Sequence, residues 1–166
     1  MNREPRIQDR AAQHYAGIPK TVTMTSLSEA VDEAFPELFR WLAQNGLQAS
    51  APPIIRYFVI DMAADLQIEL GVPVAAPVAA SGRIRPGVLP AGRYAVVRHV
   101  GPYDELAASN AALLAWAGAH GVVFDAQETA EGSVWHSRVE HYLTDPSAEP
   151  DPAKWEVDVA CLTREA

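Results

Sequence analysis

The feature that most constrains this chain is an internal echo. At an offset of 75 residues, Ala16-Gly17 recurs as Ala91-Gly92, Val22 as Val97, Leu38 as Leu113, Trp41 as Trp116 and Gly46 as Gly121. Glu29 against Asp104, Val31 against Leu106 and Leu47 against Val122 are similar residues at the same offset. Matches of Ala and Val arise by chance in a chain rich in both. A Trp and a Gly five residues apart, repeated in register at the end of a helical pattern, are far rarer. Such an echo implies one small unit built twice around a pseudo-two-fold axis, and the seam between the copies is the natural place for a ligand.

Each copy reads as strand, helix, strand, strand. In the first, an opening strand is expected near Gln13 to Met24. Ser26-Leu27-Ser28-Glu29 then has capping-box spacing. Leu27, Val31, Phe35, Leu38 and Leu42 line one helical face, Pro36 interrupts it, and Gly46 stands where a C-cap glycine belongs. Ile54 to Ile60 is an apolar run, and Leu66 to Val72 alternates strictly. Pro73, Pro77, Pro86 and Pro90 mark a connector, with a short strand around Arg83 to Arg85. In the second copy the expected order is a strand over Arg93 to Val100, a turn at Gly101-Pro102, and a helix from about Tyr103 to His120 stopped by Gly121. Strands over Val134 to Leu143 and Trp155 to Leu162 then flank a loop that starts at Asp145-Pro146. The expectation is a single α+β domain over 1–166, with repeats at about 5–74 and 83–163. One antiparallel sheet carries both helices on one face and leaves a ligand cleft on the other.

Composition excludes several classes. A formal charge of −8 lacks the basic face that phosphate contacts need, so no direct nucleic-acid partner is expected. The single cysteine, Cys161, rules out an intramolecular disulfide and a four-Cys zinc site, and its apolar strand pattern suits a small hydrophobe. His136 and His141 are spaced to opposite faces of a strand, the five histidines form no metal-ligand pattern, and no cofactor or metal is expected. Neither a G-x-S-x-G elbow nor a glycine-rich phosphate loop is present. The charged N-terminus and the short apolar stretch at Gly71 to Ala80 make neither a secretory signal nor a membrane span, so the expected location is the cytoplasm.

His99-Val100-Gly101-Pro102-Tyr103, then Trp116 and Gly121, then Glu140-His141-Tyr142-Leu143-Thr144-Asp145-Pro146 resemble the GyrI-like family, the AraC-type bacterial effector-binding domains. Tyr57 and Glu69-Leu70-Gly71-Val72-Pro73-Val74 resemble the matching segment of the first half, and the likeness runs from about Pro5 to Leu162. The resemblance implies a pseudo-symmetric sheet whose cleft takes up bulky, often aromatic or cationic molecules, as in multidrug binding. It also implies a charged glutamate at Glu140. Some members are fused to DNA-binding domains and act in transcription regulation. Others stand alone, the form expected here, and some of those are similar to hydrolases of reactive aromatic compounds. The chain departs from the pattern at Asp158-Val159-Ala160-Cys161, which lacks the aromatic residue of one pocket wall.

The residues themselves lead to the same glutamate. Strict alternation over Val134 to Leu143 places Trp135, Ser137, Val139, His141 and Leu143 on one face and Val134, His136, Arg138, Glu140 and Tyr142 on the other. Val139 and Leu143 assign the first set to the helices and the second to the open cleft. Glu69 and Asp158, at repeat-equivalent positions, point away from the apolar stripe. Three carboxylates are then expected to share one concave surface, with Tyr142 beside them and Tyr57 contributed by the first repeat. An aromatic box around a carboxylate attracts a delocalised cation. The alternative for Glu140 is a structural ion pair with Arg138 or a cross-strand basic residue. Glu69 and Asp158 have the alternative of solvated sheet-face positions. Trp155 suits a cap on the pocket or on its loop, and Trp41 and Trp116 suit packing between helix and sheet. His99 and Tyr103 suit either hydrogen bonds to a ligand or support of the Gly101-Pro102 turn.

Three functions follow. The first is a binding protein for bulky hydrophobic or cationic aromatic compounds, with Glu140, Tyr142, Tyr57, Glu69, Trp155, Tyr103 and His99 as candidate ligand-binding residues. The second is a small hydrolase using Glu140 as general base. The third is a protein-interaction module acting on gyrase or on a separately encoded regulator.

Overall fold

Leu66, Ile68, Leu70 and Val72 are all buried on one side of a single strand while Gln67 is exposed, as the alternation requires. The surrounding architecture was obtained as a computed structural model that describes residues 4–61 and 63–164. Its strands are β1 (Arg6–Arg10), β2 (Gln13–Val22), β3 (Ile54–Ile60), β4 (Leu66–Pro73), β5 (Arg85–Leu89), β6 (Gly92–Val100), β7 (Ala126–Thr129), β8 (Gly132–Trp135), β9 (Arg138–Tyr142) and β10 (Glu156–Leu162). Helix α1 spans Leu27–Gln44 and α2 spans Leu106–Ala119, with a 3-10 turn over Tyr103–Glu105 leading into α2.

One antiparallel ten-stranded sheet runs β1-β6-β10-β9-β3-β4-β2-β5, with β8 added to β3 and β7 to β8. From the β9–β3 boundary the order is the same outward in both directions: β9, β10, β6 on one side and β3, β4, β2 on the other. The strands that precede β2 and β6 cross over, β1 pairing with β6 and β5 with β2 in one continuous register from Arg6↔Val96 to Gly17↔Arg85. β1 has no apolar alternation and was not visible in the sequence; its backbone pairing with β6 defines it. β5 lies just beyond the strand expected at Arg83 to Arg85.

Both helices cover one face. α1 buries Ala30, Ala34, Leu38 and Leu42 against Ile18, Ile55, Ile68 and Leu70. α2 buries Leu106, Leu113 and Ala117 against Ala95, Val97, Val157 and Val159. Each fully buried leucine contributes roughly 1.5–3 kcal/mol. Small residues at Ala30 and Ala34 let α1 approach the sheet closely. The helix runs through Pro36 and ends as expected, with Gly46 at φ 65° just past it; Gly121, at φ 69°, does the same for α2. The capping box does not form: Ser26 holds the N-cap position, but its hydroxyl accepts from the Thr23 backbone amide instead of capping the helix.

Trp41 and Trp116 occupy matching places near the helix ends, each packed at the edge of its own core, as expected of structural tryptophans. The Ala16–Ala91 match is not equivalent, because Ala16 is buried within β2 whereas Ala91 is exposed ahead of β6. Loops of unequal length slide the strands relative to the helices, so the 75-residue offset belongs to the helices alone.

The face opposite the helices is filled in its middle and keeps a cavity of about 360 Å³ at Pro19, Phe58 and Glu69. Tyr15, Ile54, Leu89, Tyr94, Val96, Val139 and Leu162 form a buried cluster there. The crossed-over strands bring Leu89 into it.

Candidate functional site

The expected strand over Val134 to Leu143 is broken at His136-Ser137 into β8 and β9. That break shifts the alternation by one residue, and every side chain beyond it changes face. Trp135 packs on the α2 side as expected, but Val139 joins the cluster on the far side. The register places Glu140 opposite Ile55 of β3 and Val159 of β10, both packed on the helix side. Glu140 and Tyr142 therefore face the helices at the seam between the repeats, and Tyr142 packs against both helical cores.

Glu140 is 5% exposed. Its Oε1 accepts from the Tyr57 hydroxyl at 2.8 Å and the Tyr142 hydroxyl at 2.7 Å. Its Oε2 accepts from Asn110 Nδ2 of α2 at 3.3 Å. Both repeats thus contribute, Tyr57 from the first and the other three from the second. Burial, reinforced by the Glu140 charge, holds both tyrosines well above the ordinary tyrosine range, so they remain protonated donors. No Lys or Arg forms an ion pair with Glu140 among the described residues. Arg138, the expected structural partner, donates instead to Asn110 Oδ1 at 2.9 Å and lies over the Trp135 ring at 4.6 Å.

An aromatic row extends from the carboxylate. Tyr103 meets Tyr142 edge-on at 5.4 Å between centroids and lies against Trp155 at 4.7 Å. The Trp155 indole N–H donates to the Glu149 carbonyl at 2.8 Å, tying the row to the loop before β10. Trp155 thereby anchors the loop, the second of its two expected roles, and its ring continues the aromatic row.

The remaining candidates lie elsewhere. His99 is fully buried, with Nδ1 2.6 Å from Ser109 Oγ and Nε2 2.9 Å from the Pro102 carbonyl oxygen. Both ring nitrogens are engaged within the protein, so His99 fastens β6 to the start of α2 and does not line the site. Glu69 accepts from the Tyr15 hydroxyl on the far side of the sheet and lines a cavity of about 360 Å³ there, with Pro19, Thr21, Phe58 and Gln67. Asp158 is also on that side, paired with Arg98. The three carboxylates do not share a surface, because the phase shift at His136-Ser137 moves Glu140 alone to the other face.

Asn110 was missed from sequence. Its signal was faint: one amide, next to Ser109, in an otherwise alanine- and leucine-rich helix.

A helix-covered antiparallel sheet with a carboxylate buried among aromatic rings at its central seam defines this chain as an α+β domain. The chain belongs to the GyrI-like family: the model of the GyrI-like small molecule binding domain matches residues 3–160. No curated protein matches it in sequence. Among solved structures it is similar to the EcmrR C-terminal domain, with 18% identity, a TM-score of 0.78 and 98% of each chain covered. It spans 58% of the EcmrR chain in a complex with DNA. SAV2435 bound to tetraphenylphosphonium is similar at 10% identity and a TM-score of 0.60, over 98% of this chain and 94% of that one. A hydrolase from Listeria innocua shares 13% identity at a TM-score of 0.64, over 98% of this chain and 92% of that one. Among the described residues, no helix is long and apolar enough to cross a membrane.

Proposed function

We propose that this chain is a cytoplasmic binding protein that takes up a bulky aromatic compound carrying positive charge at the seam between its repeats, with Glu140 as counter-charge. One observation carries the reading: a buried carboxylate held by two tyrosyl hydroxyls and an amide, with no ion-pair partner among the described residues. A buried anion left without a cation is costly, and a ligand cation relieves that cost. Tyr142, Tyr103 and Trp155 supply ring faces and edges beside it, which favour delocalised cations. The capture of tetraphenylphosphonium by SAV2435, a protein of the same fold, supports this class of ligand.

Isothermal titration with tetraphenylphosphonium tests the reading. Binding to the wild-type protein that weakens at least tenfold in Glu140→Gln, with an unchanged circular dichroism spectrum, is the expected result. Equal affinity in the two proteins removes Glu140 from the account. Product analysis on a bound electrophilic aromatic distinguishes a carrier from a hydrolase, since only the hydrolase consumes its ligand.

A further inference from the structure

Glu140 is not the only charge at the seam. Arg138 stands two residues earlier on the same strand and the same face, about 6.6 Å away along the chain at the usual rise. Asn110 holds the two side chains apart. Its Oδ1 accepts from Arg138, while its Nδ2 donates both to Glu140 Oε2 and to the Leu106 carbonyl at 3.0 Å. Only one amide orientation satisfies all three contacts, so the order Arg138–Asn110–Glu140 is set by chemistry. Trp135 supports the guanidinium plane from below.

Capacity is left at both ends of this relay. Arg138 is half-buried, and among the described residues Asn110 is the only hydrogen-bond acceptor it meets, so most of its five N–H donors are unused. On Glu140, Oε1 already takes two hydroxyls, whereas Oε2 takes one long contact from Asn110. The seam thus presents one carboxylate and one guanidinium, both incompletely bonded, with a fixed amide between them. A lone cation placed at Oε2 meets the repulsion of Arg138. A ligand that also carries a carboxylate turns that repulsion into a second charge-assisted bond.

Resting on the Glu140 reading, we propose that the site is specific for zwitterionic aromatic molecules. The cationic end pairs with Glu140, the carboxylate pairs with Arg138, and Arg138 is the residue that disfavours simple cations.

The test compares rhodamine B, which carries a free carboxylate on a cationic dye, with its ethyl ester, which is cationic only, by fluorescence anisotropy. Wild-type protein is expected to bind rhodamine B at least fivefold more tightly than the ester. Arg138→Gln should reverse this order, weakening rhodamine B and tightening the ester. Arg138→Lys, which keeps the charge but loses the planar stack on Trp135, should restore the wild-type preference and shows that charge rather than packing is read. Similar affinity for both dyes in wild type and Arg138→Gln, with both weakened in Glu140→Gln, overturns the zwitterion assignment and leaves Glu140 in place. Dye binding indifferent to Glu140→Gln overturns both. If Arg138→Gln does not fold, the wild-type ratio and the Arg138→Lys ratio still decide: an ester bound as tightly as the acid in both refutes the proposal.

Discussion

Removing the Tyr57 hydroxyl asks how firmly the first repeat holds the carboxylate of the second. The bond to Glu140 Oε1 is 2.8 Å long, and Glu140 is nearly inaccessible to replacement water. Hydrogen bonds to a charged group contribute about 1.5–3 kcal/mol, so Tyr57→Phe should destabilise the fold by about 2 kcal/mol. For a chain of 166 residues that corresponds to a fall in Tm of about 6 °C. Tyr142 still donates to the same oxygen, which keeps the loss below the cost of a fully orphaned buried anion. Urea unfolding of wild type, Tyr57→Phe, Glu140→Gln and the double variant gives the coupling between the two groups directly. A coupling above about 1 kcal/mol is expected. Additivity within about 0.5 kcal/mol would refute the idea that Tyr57 stabilises a charged Glu140 across the seam.

Three further outcomes follow from the same structure. Burial pushes the Cys161 thiol up to about 12, so Ellman's reagent at pH 8 should find no reactive thiol in the native protein and one in urea; prompt native reaction contradicts this burial. His141 is depressed to about 4, first by burial and then by Arg10, whose Nη1 lies 2.8 Å from its Nε2. A neutral native imidazole whose unfolded form protonates near 6.5 stabilises the fold above that pH. Up to about 3 kcal/mol is then lost as pH falls from 6.5 toward 4, and a His141→Gln variant that keeps the same acid-side slope rejects this assignment. A Cβ at Gly87 would lie 2.2 Å from Tyr15 Cζ, whose ring is held by Glu69 and Arg56; Gly87→Ala should therefore cost about 3 kcal/mol of unfolding free energy measured in urea, and a neutral result means that Tyr15 moves freely.

The helices, their glycine stops at Gly46 and Gly121, and the buried stripe of β4 were all legible in the chain, because each depends on contacts between residues near in sequence. The motif around Glu140 was legible through the family resemblance, with Tyr57 as a contributor from the first repeat; their direct hydrogen bond joins residues far apart in the chain. The direction in which Glu140 points was not. A strand has period two, so one irregular step at His136-Ser137 inverts every later side chain, and no local propensity announces that step. The crossed pairing of β1 with β6 and β5 with β2, the Asn110 bridge from α2, and the separation of Glu140 from Glu69 and Asp158 likewise arise from long-range register. Sequence by itself determined the two helices, the principal strands of each repeat and which residues carry charge. Tertiary structure decided which of those charges meet, because facing and proximity across a sheet are set by hydrogen-bond register between segments far apart in the chain.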